Sequence, residues 1–330
     1  MEFGVLLGDV PRSVSPREHL DQLLRQVAAA QRNGFTLLAL GQHFLYGDIR
    51  WLQPVPTLAR LAAEVEPSVR LATTVLVAPL HHPVVLAEEL ATLDIVTDGR
   101  LVVGLGLGYR KEEYRQLGVP FGTRVPRFEE AVTLMRELWT SERVTFRGQF
   151  WHLEDAEPHL FPLQQPTPPL WIGASAEPGV RRAARLGDAW PIGPNMPVAE
   201  IEQHLATWAS VREELGRPVG RQPIRREIVL GLDRADARAR FAAMTADRLQ
   251  AYAARERATV GSGLAVAAEG GTALLGSADD VVEQLRELAA RLPVGPIVVR
   301  AQWPGMSGDD VCSYLEELGE SVVRPLAGDC

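Results

Sequence analysis

The residues able to do proton or nucleophile chemistry are few. Lys111 is the only lysine among 34 basic residues, and it sits in the charged run Arg110-Lys111-Glu112-Glu113. Schiff-base and lysine-base reactions need a lysine in the pocket, so they are disfavoured. His43 lies in Leu40-Gly41-Gln42-His43-Phe44, directly after an apolar run. An imidazole leaving a strand end can give or take a proton near neutral pH; a loop histidine with no role is the alternative. His81-His82-Pro83 has no HExxH pattern or carboxylate cluster, and adjacent histidines do not share a helix face. No metal site is expected there, and His82 reads as opening a helix before Pro83. The two cysteines, Cys312 and Cys330, allow no disulfide framework or CxxC site.

Two segments have the composition of ligand loops. Gly104-Leu105-Gly106-Leu107-Gly108 is a GxGxG run and not the GxGxxG dinucleotide fingerprint. Glycines at a strand end admit a flat ring or a phosphate to the backbone, or they serve tight packing. Gly173-Ala174-Ser175-Ala176-Glu177-Pro178 precedes a helical pattern. Ser175 or Ala176 then sits at a helix N-terminus, where free N–H groups bind phosphate, unless Ser175 is an ordinary cap. Trp51, Trp190 and Trp303 are tryptophans of the kind that usually fill cores, although Trp190 and Trp303 fall near strand ends.

These residues must be positioned by an alternation of short apolar runs and amphipathic stretches. Strands are predicted at 3–7, 35–40, 69–77, 101–105, 169–172, 189–192, 224–232 and 296–302, with helical spacing between them. Ser15-Pro16-Arg17-Glu18 has the capping-box pattern with proline at the first helical position. Eight strands separated by helices predict an α/β fold, a single (β/α)8 TIM barrel spanning 1–330; a doubly wound sheet is the competing arrangement. Two connections, about 141–168 and 233–276, are long enough to be functional or mobile. The second holds Gly261-Ser262-Gly263 and Gly270-Gly271 and follows the seventh strand, which puts it on the catalytic face of a barrel.

The 330 residues are 46% hydrophobic and 23% charged, an ordinary globular composition. Charges of 34 against 42 leave a net −8, which disfavours nucleic acid and anionic membranes as partners. No apolar run reaches the ~18 residues of a membrane span, and the N-terminus has no basic region before its apolar stretch. A cytoplasmic protein is expected.

Taken in order, the motifs resemble the luciferase-like flavin-dependent oxidoreductases, a family that includes bacterial luciferases, flavin monooxygenases and enzymes of the deazaflavin coenzyme F420. The resemblance runs from Phe3 to about Leu326. It is carried by Asn33-Gly34-Phe35 with Gln42-His43-Phe44, and by Thr73-Thr74-Val75 with Pro79, His82-Pro83 and Ala91-Thr92-Leu93-Asp94. Asp98-Gly99-Arg100 leading to Gly104–Tyr109 and Glu113 continues it, as do Pro169-Leu170-Trp171-Ile172-Gly173, Ala183-Ala184, Gly187-Asp188 and Trp190. Three positions depart from the pattern. Leu107 stands where luciferases place an arginine for the flavin phosphate, Gln42 where many members have an acid, and Ala189 where glycine is usual. FMN and F420 both remain open.

The resemblance implies reduced flavin at the C-terminal ends of the strands. A non-proline cis peptide at Thr74-Val75 would back the ring, Gly106, Gly108 and Gly173 would lie near it, and Ser175 and Ala176 would meet the phosphate. His43 would be the active-site histidine, with Phe44, Tyr46, Trp51, Trp190 and Trp303 shaping the substrate pocket. The function expected is a monooxygenase that uses O2 and reduced FMN supplied by a separate flavin reductase to oxidise a small organic substrate. F420-dependent hydride transfer without O2 is the first alternative, and a non-catalytic flavin-binding scaffold the second. The 233–276 connection would close over the site. A homodimer is implied through helices at 56–66 and 83–97, using Leu58, Leu61, Ala62 and Val65 from one and Leu86, Leu90 and Leu93 from the other.

Overall fold

The computed structural model describes residues 1–8, 10–47, 49–255, 272–303 and 306–328. The glycine clusters at 261–263 and 270–271, together with Cys330, lie outside the described residues.

The apolar runs form a parallel sheet curled into a ring. Strand Phe3–Leu6 lies between Leu37–Leu40 and Val294–Arg300. The order then continues through Arg70–Thr73, Leu101–Gly106 and Leu170–Ile172 on one side and Gln222–Arg226 on the other. The two ends meet across residues 189–192, through parallel bridges Trp171↔Ala189 and Ile192↔Ile224. The sixth strand position is thus filled by single bridges.

Side-chain alternation explains why a ring and not a flat sheet is stable, since successive residues point to opposite faces. Phe3, Val5, Leu38, Leu40, Leu71, Val103, Ile172 and Val299 point outward into the core shared with the helices. Leu6, Leu37, Ala39, Ala72, Val102, Trp171, Ala189 and Val298 point inward and fill the lumen as a separate cluster.

Several boundaries differ from the sequence pattern. The predicted third strand is broken: Arg70–Thr73 and Leu76–Val77 are separate, and the Thr74–Val75 peptide between them is cis. The predicted seventh strand divides into Gln222–Arg226, which stays in the ring, and Ile228–Leu230, which pairs with Leu274–Gly276. Ser15 caps helix Pro16–Arg32 by accepting from Glu18 N–H at 3.1 Å. Glu18 does not return the bond but accepts from Gln22, so half of the capping box forms.

The 141–168 connection joins helix Arg124–Thr140 to the fifth strand, so it lies on the face opposite the strand C-termini. It is an ordered hairpin, Val144–Arg147 with His152–Ala156. The Glu130 carboxylate accepts from the N–H groups of Gln149, Phe150 and Trp151. Fully buried Asp94 takes both the N–H and the side-chain amide of Gln164, at 2.9 and 2.6 Å. The segment is held in place by the Glu130 carboxylate and the buried Asp94 carboxylate, so it is ordered along its length.

The surface named for a dimer also changes. Leu58, Leu61, Leu86, Leu90 and Leu93 belong to the core, and it is Val85, Ile95 and Val96 that helix Pro83–Val96 exposes.

Candidate functional site

The site begins with a short helix that sorts one charged run by its period. In Lys111–Gln116, Glu113 and Tyr114 turn inward while Lys111 and Glu112 stay exposed. Glu113 is 1% exposed. Its Oε1 accepts from His43 Nδ1 at 2.8 Å, from Phe44 N–H at 3.0 Å and from Arg110 at 3.2 Å. Burial opposes the charge on this carboxyl. The His43 hydrogen bond and charge, the Phe44 N–H and Arg110 outweigh it and hold the pKa below the ordinary carboxylate value. An ionised carboxylate only accepts, so Nδ1 carries the proton and Nε2 is left as the exchanging atom.

Aromatic rings pack round this imidazole. Tyr46 and Trp51 have centroids 4.7 Å from it, and Tyr109 stands edge-on at 5.8 Å. The Arg110 guanidinium lies 4.3 Å over the Tyr46 ring. The backbone of His43 is fixed by an amide chain: Gln53 donates to His43 O at 3.0 Å, and Gln42 donates to Gln53 at 3.0 Å. Gln42 Oε1 in turn accepts from Val77 N–H and from His81 Nε2, both at 2.9 Å. Burial lowers the His81 pKa to about 4, so it serves this chain as a neutral donor. The glutamine that departs from the family pattern therefore ties the His43 loop to the end of the third-strand break.

The break itself is a platform. Ideal Cβ atoms would fall 1.9 Å from Thr73 O at Gly104 and 2.5 Å from Val75 Cγ2 at Gly106. At Gly108 the nearest atom would be Val77 Cγ1 at 2.6 Å, and at Gly173 it would be Val75 Cγ1 at 3.5 Å. The GxGxG run is glycine because the bulge leans across the fourth and fifth strands, so tight packing accounts for Gly106 and Gly108. Thr73 locks the crossing by exchanging bonds with Gly104 N–H and C=O, both at 2.8 Å. At Gly41 the added carbon would lie 3.3 Å from Thr74 O and 3.4 Å from the Trp51 ring. Trp51 thus links the bulge to His43.

Three buried polar atoms here have no hydrogen-bond partner among the described residues: Thr74 Oγ1, Trp51 Nε1 and Glu113 Oε2. Such atoms are uncommon in folded proteins, and a catalytic role, ordered water or a bound polar group are the usual reasons for one.

The structure brings together His43, Phe44, Tyr46 and Trp51, and separately Thr74, Val75, Gly106 and Gly173. Ser175 does not cap helix Glu177–Leu186; the N-cap is Ala176, with no side-chain cap bond, and both residues are exposed. That leaves the helix N-terminus open to an anion. Trp190 and Trp303 do not join the His43 group. Ala189 faces the lumen, so alternation turns Trp190 outward, where it is fully buried and donates to Ala174 O at 2.9 Å. Trp303 packs edge-on with Phe241, 5.7 Å away, under helix Arg234–Arg255. Glu113 is the residue that reading for candidate sites passed over. Its signal was the helical period inside the charged run.

Comparison with known proteins agrees with this architecture. The family model described as luciferase-like monooxygenase matches residues 1–294. The oxygenase component of flavin-dependent trigonelline monooxygenase from Acinetobacter baylyi is 31% identical over 156 residues, covering 47% of this chain and 43% of that protein. An F420-dependent glucose-6-phosphate dehydrogenase from Intrasporangium calvum is 33% identical over 183 residues, covering 53% of each. These alignments span about half the length of the relatives. Among solved structures, monooxygenase RslO1 from Streptomyces bottropensis superposes with a TM-score of 0.85 at 24% identity, covering 98% of this chain and 99% of that one. The oxygenating constituent of 3,6-diketocamphane monooxygenase from Pseudomonas putida, in complex with FMN, gives 0.81 at 15% identity, covering 98% of both chains.

Proposed function

Because this chain belongs to the luciferase-like monooxygenase family, whose relatives include both flavin monooxygenases and F420-dependent dehydrogenases, we propose that it is a monooxygenase. It takes reduced FMN from a separate flavin reductase and uses O2 to oxidise a small organic substrate. The observation that carries this reading is the orphaned trio of Thr74 Oγ1, Trp51 Nε1 and Glu113 Oε2 beside the Val75 platform and the His43–Glu113 pair. When bound, reduced FMN supplies the electrons that activate O2.

The chain's own residues do the rest. Val75, carried over the glycines of the fourth and fifth strands, would support the flavin ring. Thr74 Oγ1 and Trp51 Nε1 would be available to hydrogen-bond the cofactor. Ser175 and Ala176 would hold the phosphate at an uncapped helix N-terminus. His43 Nε2 gives or takes the proton at the reacting oxygen. Glu113 fixes the tautomer and stabilises the imidazolium, a division of labour shared with other carboxylate–imidazole pairs. Tyr46, Trp51 and Phe44 keep water away from the imidazole.

The test is an anaerobic titration of the protein with FMNH2 and with reduced F420, followed by admission of O2 and substrate. Preferential FMNH2 binding with substrate-dependent O2 uptake supports the reading. Tight binding of reduced F420 and turnover without O2 would replace it with hydride transfer on the same fold.

A further inference from the structure

Three hydrogen bonds in series join the His43 backbone to the strand segment Leu76–Val77, and their direction is fixed at both ends. Val77 N–H can only donate, so the Gln42 oxygen faces it, 2.9 Å away. The same oxygen accepts from His81 Nε2 at 2.9 Å. The Gln42 nitrogen then faces Gln53 and donates to its oxygen at 3.0 Å. That turns the Gln53 nitrogen to the His43 carbonyl, which can only accept, also at 3.0 Å. Each side chain must therefore accept on one side and donate on the other. An amide does both, and a carboxylate does only the first.

Gln53 serves this series in place of a local role. It is the N-cap of helix Pro54–Leu61, a position that favours Ser, Thr, Asp or Asn, yet its side chain makes no cap bond. Pro54 and Pro56 carry no N–H, so two of the first-turn donors that a cap would satisfy are already gone. The Gln53 backbone is held from the helix instead, by Thr57 Oγ1 and Thr57 N–H at 2.7 and 3.3 Å from its carbonyl. A residue poor at capping, anchored from behind with its amide turned to His43, points to a requirement outside the helix. Gln42 is 6% exposed, and a buried amide keeps the partners it has because water does not replace them.

The two ends of the series belong to the two halves of the site. Val77 stands two residues beyond Val75, whose methyl groups lean over Gly104, Gly106 and Gly173. His43 carries the imidazole that bonds to Glu113. We propose that Gln42 and Gln53 are positioning residues, matched as a donor–acceptor pair, that hold the His43 imidazole in register with the Val75 platform. The proposal rests on the reading of His43 as the proton-handling group. In Gln42→Glu, position 42 has no donor for Gln53. Either two oxygens face each other at that contact, or the Gln53 amide turns over and sets its oxygen against His43 O. Gln53→Lys supplies donors on both sides and no acceptor. It is mismatched alone, against the Gln42 nitrogen, and complementary when combined with Gln42→Glu.

Gln42→Glu, Gln53→Lys and the double variant are compared by two measurements. The first is the His43 resonance in histidine-labelled, flavin-free protein, identified by its loss in His43→Ala. The second is the single-turnover rate with pre-reduced FMN. Each single variant should displace the His43 signal and slow the single turnover by about 10- to 100-fold, the span for a misplaced reacting group. The double variant should return the signal toward its wild-type position and recover most of the rate. Losses that simply multiply in the double variant, the behaviour of independent sites, overturn the proposal. So does a His43 signal unmoved in both single variants. A signal displaced and then rescued, with turnover unchanged in every variant, keeps the positioning and removes His43 from the reaction, so the two failures are distinguishable. If a charged variant does not fold by thermal melt, Gln53→Met decides the matter. It removes both Gln53 bonds without adding charge, and a His43 signal left in place then overturns the proposal.

Discussion

Glu113 and Glu227 are both 1% exposed, and both are held by arginine. They differ in what else they meet. Glu113 accepts from an imidazole and a backbone N–H, so it sits beside a group that exchanges protons near neutral pH. Glu227 lies between two guanidinium groups, which do not titrate in that range. Equal burial of the same residue type therefore sets one carboxylate against an imidazole and the other against guanidinium groups. The partner decides the chemistry, and burial only strengthens it.

The strongest way to break this contrast is at the imidazole. His43→Ala is expected to lower product formation about 10²–10⁴-fold, the span for losing a positioned acid or base, with flavin affinity kept. Single-turnover measurements with pre-reduced FMN read this, and hydrogen peroxide should be released where product is lost. Unchanged turnover would remove His43 from the reaction.

Glu113→Gln comes next, with a loss of about 10²-fold and a changed pH profile, because the amide keeps a contact but not the charge that stabilises the imidazolium. The folded Glu113 pKa lies below its ordinary value. Its contribution to stability is thus present above that ordinary value and is lost as the pH falls through the folded one. Denaturant midpoints at successively lower pH should show a shallower acid decline in Glu113→Gln than in wild type.

Gly106→Ala tests the platform without touching either carboxylate. A Cβ 2.5 Å from Val75 must push the bulge aside. The expected cost is about 1–3 kcal/mol of stability, together with weaker FMNH2 binding; calorimetry and flavin titration measure the two.

His81 sharpens the comparison at smaller scale. Its pKa falls from 6.5 to about 4 on folding. Below 6.5 the unfolded chain takes up a proton that the folded one refuses, so stability present above 6.5 declines until about pH 4. His81→Gln should lose that part of the pH dependence, and identical denaturation midpoints for the two proteins at pH 7 and again near pH 4.5 would speak against it. The smallest effect concerns assembly: if Val85, Ile95 and Val96 pack against a second copy, Val96→Glu should shift a dimer toward monomer in sedimentation equilibrium.

Much of the ring was legible in the residues. Seven of the predicted strands fall on hydrogen-bonded strands of the sheet, because each is a short apolar run whose alternation is local. His43, Thr74 and Val75 were found by motif. The fate of Trp190 was not, since one residue of register decides whether a strand residue meets the lumen or the helices. Nor was the stapling of 141–168, which depends on Asp94 and Glu130 from helices distant in sequence.

By itself, then, the sequence determined the alternation of strands and helices, the helix openings at Ser15 and His82, and the glycines that a close crossing demands. Each of these is set by neighbours within a few residues. The tertiary structure alone decided that Glu113, 70 residues from His43, is the carboxylate that meets it. It also decided that Val75 is what the glycines accommodate, and that Glu227 meets Arg225 and Arg300. Closing the ring fixes which face of each strand turns inward, and an ionisable side chain takes its character from whatever that closure places against it.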